Sequence, residues 1–284
     1  MFYKNILFIN FILPVVSFNT VFCMTIFQAA HRGDIARIQT LLAQNIYVNQ
    51  VNEQGQSPLH IASQNGRLQL VDYLLKHGAN IRLKDLYGRI ALHYAVLNDH
   101  VHITEQLLKH RSNPNEQDDL GFAPLHLALE LPRKDLPIAI MSALEIKKNA
   151  IIKLLLQYGA FVDLPIQSNT NPDCLYLGQT STQYHFYTPL IYALKQKMIT
   201  QYTSLVRLLI AYSANKEIKA SDGTLALGLV TQIKDFHLWY MIHYPLHEAV
   251  MADDSYCVER LLKSYNPQSP DNFGRPAFIL AIQE

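Results

Sequence analysis

One interval constrains this chain more than any other feature: 33 residues separate His60 from His93, and 33 separate Ala62 from Ala95. Within that interval the pattern is two short helices. Ser57 offers a hydroxyl to cap the first, Pro58 suits its first turn because proline has no N–H to leave unpaired, and Leu59 and Ala62 supply an apolar face. Gly66 permits a sharp turn. Leu70, Val71, Leu74 and Leu75 then recur at helical spacing, and Gly78 can end the second helix in the left-handed conformation. The pattern restarts at Gly88-Arg-Ile-Ala-Leu-His-Tyr-Ala95. A fixed interval of this size marks stacked units, none of which can bury its apolar face alone. Leu74 is expected in the core of that stack.

Ser57-Pro58-Leu59-His60-Ile61-Ala62 resembles the Thr-Pro-Leu-His-x-Ala signature of the ankyrin repeat family. The resemblance implies an all-α solenoid of about six or seven helix-turn-helix units with short β-hairpin connections. It also implies that His60, His93, His126 and His247, at the motif position, hydrogen-bond to backbone or hydroxyl groups within and between repeats. It covers the chain from about Thr25 to the end, so an ankyrin repeat domain is expected over residues 24–284.

The units differ in quality. Residues 25–32 lack the motif and fit a terminal capping unit. Gly55 to Tyr87 and Gly88 to Leu120 form the second and third units, but Asp99 and Arg111 stand in the third where Gly66 and Gly78 stand in the second. A non-glycine residue at positive φ costs about 1 kcal/mol, so the third unit is expected to be locally weaker. Gly121-Phe-Ala-Pro-Leu-His-Leu-Ala128 opens a fourth and Thr188-Pro-Leu-Ile-Tyr-Ala193 a fifth, with Ile191 in place of the histidine. Three insertions interrupt the pattern, at residues 130–146, 165–186 and 219–244. Ile138 to Lys153 is expected to lengthen a second helix. Asp222 to Val230 reads as the start of a degenerate unit with no second helix of usual length before Tyr244-Pro-Leu-His-Glu-Ala249. Asp271 to Ala281 repeats only the first half of a unit.

Residues 1–23 stand apart. Lys4, the apolar run Ile6 to Val16 and the small Ser17 match a secretory signal peptide. Val15 and Ser17 compete with Val21 to Cys23 for the cleavage site. The alternative is an uncleaved membrane anchor, which Asn10, Pro14, Asn19 and Thr20 weaken against the about 20 apolar residues of a spanning helix. Phe22 stands where a lipoprotein signal wants a small residue before Cys23. The expected localisation is therefore secreted or periplasmic, or membrane-anchored in the alternative.

Of the 284 residues 49% are hydrophobic and 17% charged, which suits a folded core. A formal net charge of +1 gives no global field toward nucleic acid or an anionic membrane. Cys23, Cys174 and Cys257 are too scattered for a zinc site or a disulfide framework, although a Cys174–Cys257 bridge stays open. The pair His100 and His102 lacks a third ligand at recognisable spacing. No phosphate loop, His-Glu-x-x-His helix or Gly-x-Ser-x-Gly elbow occurs, so no cofactor, metal or small-molecule substrate is expected. Catalysis would have to sit in the insertions, at Asp173, Cys174, His185 or Trp239.

The resemblance implies a protein-protein interaction scaffold, and with an export signal it looks like an exported bacterial effector directed at a host protein. The alternatives are an exported enzyme with catalytic residues in the insertions, or a periplasmic structural scaffold. Partner contact is expected at Gln56, Tyr87, Arg89, Tyr94 and Phe122, which fall at turn and inner-helix positions that the repeat leaves free to vary. The competing location is the aromatic run before each motif proline, Tyr184-His-Phe-Tyr187 and Phe236-His-Leu-Trp-Tyr240. Sequencing the N-terminus of the purified product tests the export segment: a start between residues 18 and 24 is expected, and a cytoplasmic product that keeps Met1 would refute it.

Overall fold

The computed structural model describes residues 26–130, 138–166, 187–195, 203–220, 222–233 and 235–280. The leader reading of 1–23, the insertion at 167–186 with Asp173, Cys174 and His185, and residues 131–137 lie outside them. The architecture is an all-α repeat. The chain divides into two compact units, residues 1–113 and 114–284.

In the first unit helices come in pairs: α1 (residues 26–32) with α2 (Ile35–Ala43), α3 (Pro58–Gln64) with α4 (Leu68–Lys76), and α5 (Ala91–Leu97) with α6 (Val101–Lys109). First helices pack on first helices and second on second, α3 on α5 and α4 on α6. Leu59, Leu70, Leu74, Leu92, Ile103 and Leu107 are the buried ridge between the layers. Gly66 turns α3 into α4 at φ +71, and a Cβ there would come within 2.8 Å of the His100 ring, which bonds the Gln64 carbonyl from the next pair. Asp99 and Arg111 take the same left-handed turns at φ 53 and 64, as the sequence predicts.

The motif histidine closes the start of α3, α5 and Pro124–Ala128. The His60 Nδ1 accepts the Ser57 N–H at 3.0 Å, and His93 and His126 accept those of Ile90 and Ala123 in the same way. An imidazole thus fills the place of the carboxylate in a capping box and satisfies one orphan donor. Because Nδ1 accepts, Nε2 carries the proton. His60 Nε2 donates to the Arg89 carbonyl at 3.1 Å, and His247 Nε2 to that of Arg275 at 2.9 Å. These two imidazoles tie their helices to the next connection.

Those connections differ from expectation. Short β-hairpins are not found among the described residues, where the pairing recorded is one bridge, Pro270 to Pro276. The turn is closed by one backbone bond across its base, Asp85 N–H to the Arg89 carbonyl and Asp271 N–H to the Arg275 carbonyl, both at 3.0 Å, and by a side chain. Asp85 Oδ1 accepts from the Tyr87 and Arg89 N–H groups, both at 2.9 Å, and Asp271 Oδ1 accepts from Phe273 and Arg275 at the same distance. A carboxylate that takes two amide donors satisfies the turn amides that this single backbone bond leaves over.

In the second unit α7 (Pro124–Ala128) pairs with α8 (Ile138–Gln157), and α9 (Pro189–Lys195) with α10 (Thr203–Ala211). The 20-residue α8 shows that 138–153 does lengthen a second helix. Its final turns bury Ile151, Ile152 and Leu155, while Ile146 is exposed. α7 packs on α9 and α8 on α10.

Residues 219–244 correct the sequence reading. They hold a complete pair, α11 (Ala226–Ile233) and α12 (Phe236–His243), with Asp235 capping α12 through the Leu238 N–H at 3.0 Å. The second helix escapes detection because the next first helix, α13 (Pro245–Met251), starts one residue after it, Tyr244 serving both ends. α11 packs on α9 and α12 on α13, while α10 packs directly on α14 (Ser255–Leu261). The pair is therefore an addition on the first-helix side. Arg207 on α10 crosses to α13 and α14, donating to Glu248 at 2.5 and 2.6 Å and to Asp254 at 3.4 Å. α15 (Ala277–Leu280) packs on α13.

Burial of the capping histidines sets a pH dependence. Burial pushes the His126 imidazole down to about 3 against the weaker pull of the Leu164 carbonyl, and lowers His60 as well. The unfolded chain binds a proton near 6.5 and the folded chain does not, so for His126 stability is full above pH 6.5 and falls as pH drops toward 3, by about 1.4 kcal/mol per pH unit, with His60 acting in the same direction. Urea unfolding followed between pH 7 and 4.5 is expected to show a slope that His126→Gln flattens by about 2 kcal/mol over that range. An unchanged slope would mean that the imidazole is charged in the fold.

Candidate functional site

Two connection tips of the first unit, residues 45–56 and 79–90, carry the exposed apolar side chains of that unit: Tyr47, Val51, Leu86 and Tyr87. The tips are joined. Leu86 N–H donates to the Gln54 carbonyl at 3.1 Å. Further back, Asn49 Oδ1 accepts the Asn80 N–H at 2.6 Å and its Nδ2 donates to the Gly78 carbonyl at 3.2 Å. A Cβ on Gly55 would stand 2.8 Å from the Leu86 nitrogen, so only glycine at φ +74 lets the tips approach this closely.

Beneath the tips lies a buried polar chain. Tyr94 Oη donates to Asp85 Oδ2 in a short hydrogen bond and accepts from Gln56 Nε2 at 2.9 Å. Burial, then the bond to Asp85, pushes the Tyr94 phenol up to about 12. With Oδ1 held by two backbone amides and Oδ2 by Tyr94, the Asp85 carboxylate is spent on shaping the turn. Asn52 does the same work one repeat earlier, its Oδ1 accepting from Gln54 and Gln56. The sequence contains the signal that would have singled these residues out, because Asn52, Asp85 and Asp118 follow the same interval of 33.

The five residues nominated from the sequence thus fall into two groups. Tyr87 is 58% exposed, and Arg89 is half-buried beside it. Gln56 and Tyr94 are 7% and 6% exposed, held inward by their mutual bond. Phe122 belongs to the second unit and is 4% exposed, edge-on to the rings of Tyr192 and His126 at 5.8 and 6.3 Å. Its aromatic side chain fills a core rather than projecting from a tip. Leu86, 69% exposed, was not nominated, since a leucine inside a turn has no sequence feature to separate it from a core residue.

The aromatic runs divide likewise. Tyr187 is buried against Lys195 and Asp222, and Tyr240 donates to Asp271 Oδ2 at 2.6 Å. Phe236 is 61% exposed and stacks on Trp239, which stacks on His243 at 4.1 Å. Cys257 is fully buried, and burial pushes its thiol up to about 12, the reverse of what a nucleophile needs. Among the described residues no group of three or more His, Cys, Asp or Glu could hold a metal ion, and no helix is long and apolar enough to cross a membrane.

Models of ankyrin repeats match the chain at residues 16–85 and again at 65–108. No curated protein matches it.

Tyr94→Phe tests whether the tip is held from below. It strips Asp85 Oδ2 and Gln56 Nε2 of a buried partner, so a loss of about 1–3 kcal/mol is expected, together with faster amide exchange at Tyr87 and Arg89. Unchanged exchange at those two amides would show the tip to be shaped without Tyr94.

Proposed function

Because the chain belongs to the ankyrin repeat family, we propose that it binds a partner protein through the exposed tips of its first unit and performs no chemistry itself. Ankyrin repeats generally mediate protein-protein interaction. The observation that carries the assignment here is the pairing of exposure with rigidity: Leu86 and Tyr87 stand in solvent on a turn whose amides are all committed to Asp85 and Gln54. Exposed apolar side chains on a preorganised backbone lose little entropy on association, and Tyr and Arg are favoured at binding hot spots. Gln56 and Tyr94 act in this reading as positioning residues.

The binding is proposed to take place after export, on the strength of Lys4 and the apolar run that follows it, with an uncleaved anchor holding the repeats at a membrane as the other form. A host protein as target is the narrower version of the same proposal. Phe236 and the Trp239–His243 stack favour a second location on α12. An enzyme built on these repeats would depend on Asp173, Cys174 or His185.

Affinity capture with the double variant Tyr87→Ala/Arg89→Ala separates the two surfaces. Retention of the partner is expected to fall at least about tenfold with the melting temperature within a degree or so of the parent. Retention that persists there and disappears in Phe236→Ala/Trp239→Ala would move the surface to α12. Covalent change in the captured protein would favour the enzyme.

A further inference from the structure

The second helices of the second unit carry a polar cluster outside the tip surface. Tyr212, one residue past α10, and Tyr256 on α14 share a hydrogen bond between their hydroxyls at 2.5 Å, and Gln157 Nε2 on α8 donates to the Tyr256 oxygen at 3.2 Å. The Arg260 guanidinium lies 3.4 Å over the Tyr212 ring, and the Lys153 ammonium 4.3 Å over that of Tyr256. Gln157 is exposed and the other four are half-buried. Among the described residues neither cation has a carboxylate within ion-pair distance. Asp254, whose charge acts on Lys153, is itself taken up by the Cys257 N–H and by Arg207.

This cluster has donors to spare. Two phenols carry two hydrogens and place one between their oxygens, so the other has no acceptor among the described residues, whichever ring donates. Arg260 spends Nε on the Ala211 carbonyl at 3.4 Å, which leaves both of its terminal amino groups. A ring face engages the Lys153 charge without accepting all three of its N–H groups. Burial, then the bond to Tyr256, holds the Tyr212 phenol above its ordinary range, so it stays a donor. Donors brought together from three helices, two of them positively charged, suit an anion with several oxygens. We infer that Lys153, Tyr212, Tyr256 and Arg260 bind a phosphoryl group, carried by a partner's phosphorylated side chain or free as orthophosphate. The guanidinium fork meets two of its oxygens, and the ammonium and the spare phenol hydrogen meet a third. A carboxylate, with two oxygens and one charge, leaves part of that set unused. Gln157 positions the Tyr256 hydroxyl.

The test uses the full chain, followed by thermal melting and by phosphorus NMR. Orthophosphate at about 10 mM is expected to raise the melting temperature by a few degrees over acetate at equal ionic strength, and its resonance to broaden on the folded protein. Tyr256→Phe keeps both rings beside their cations but removes a hydroxyl, and is expected to weaken binding about tenfold. Lys153→Gln/Arg260→Gln is expected to abolish the broadening and Lys153→Arg to retain it. The resonance is read below the melting temperature of each variant, so lost binding is not confused with lost folding. An equal rise in acetate, or broadening that survives in Lys153→Gln/Arg260→Gln, overturns the inference. A phosphoserine peptide that binds more tightly than orthophosphate, and whose unphosphorylated form does not bind, assigns the group to a partner protein. A phosphopeptide no tighter than orthophosphate assigns the site to the free ion.

Discussion

The imidazole of the motif histidine is the interaction on which the repeat depends. Its two nitrogens cannot both donate when the ring is neutral. In His60, Nδ1 takes the free N–H at the start of its own helix, which forces Nε2 to carry the proton and makes it a donor toward the next connection. One ring thereby fixes the start of a helix and the distance to its neighbour. Protonation would turn an acceptor into a second donor facing an amide N–H, so the environment must keep the ring neutral, as the lowered values of His60 and His126 reflect.

With the spacing fixed by histidine, the connections are free to serve as display. Asp85 gathers two backbone amides and a phenol, and Asp271 gathers two amides and the Tyr240 phenol, although that phenol comes from the added helix α12 rather than from its own repeat. The same buried device thus arises from two sources. In both places the carboxylate is consumed by structure, and at Asp271 it also pairs with the Arg275 guanidinium at 2.8 Å.

Much of the fold was legible because it repeats. Leu74 follows from the apolar pattern, and the left-handed turns at Asp99 and Arg111 follow from where glycine stands one repeat earlier. What escaped was what does not repeat. The turn preceding α13 is replaced by the single residue Tyr244, which hid α12, and the carboxylate-closed turns displaced the expected hairpins. At the candidate site, variability of position was a poor guide to exposure. Gln56, Tyr94 and Phe122 occupy variable places yet are drawn inward by hydrogen bonds and ring contacts that involve residues 38 positions away, in the case of Gln56 and Tyr94, or on a later helix, in the case of Phe122.

The added pair α11 and α12 shows how such a stack tolerates extra chain. Second-helix packing runs from α10 to α14 without a gap, and Arg207 fixes that junction with a bidentate bond to a fully buried Glu248. A buried pair of this kind adds little net stability over an apolar contact, but removing one partner strands the other at a cost of about 3–5 kcal/mol, so it enforces which helix follows which. With the order secured on the second-helix side, the first-helix side could accept two more helices between α9 and α13. On α12 Phe236 stands in solvent while Tyr240, four residues on, is buried against the next connection.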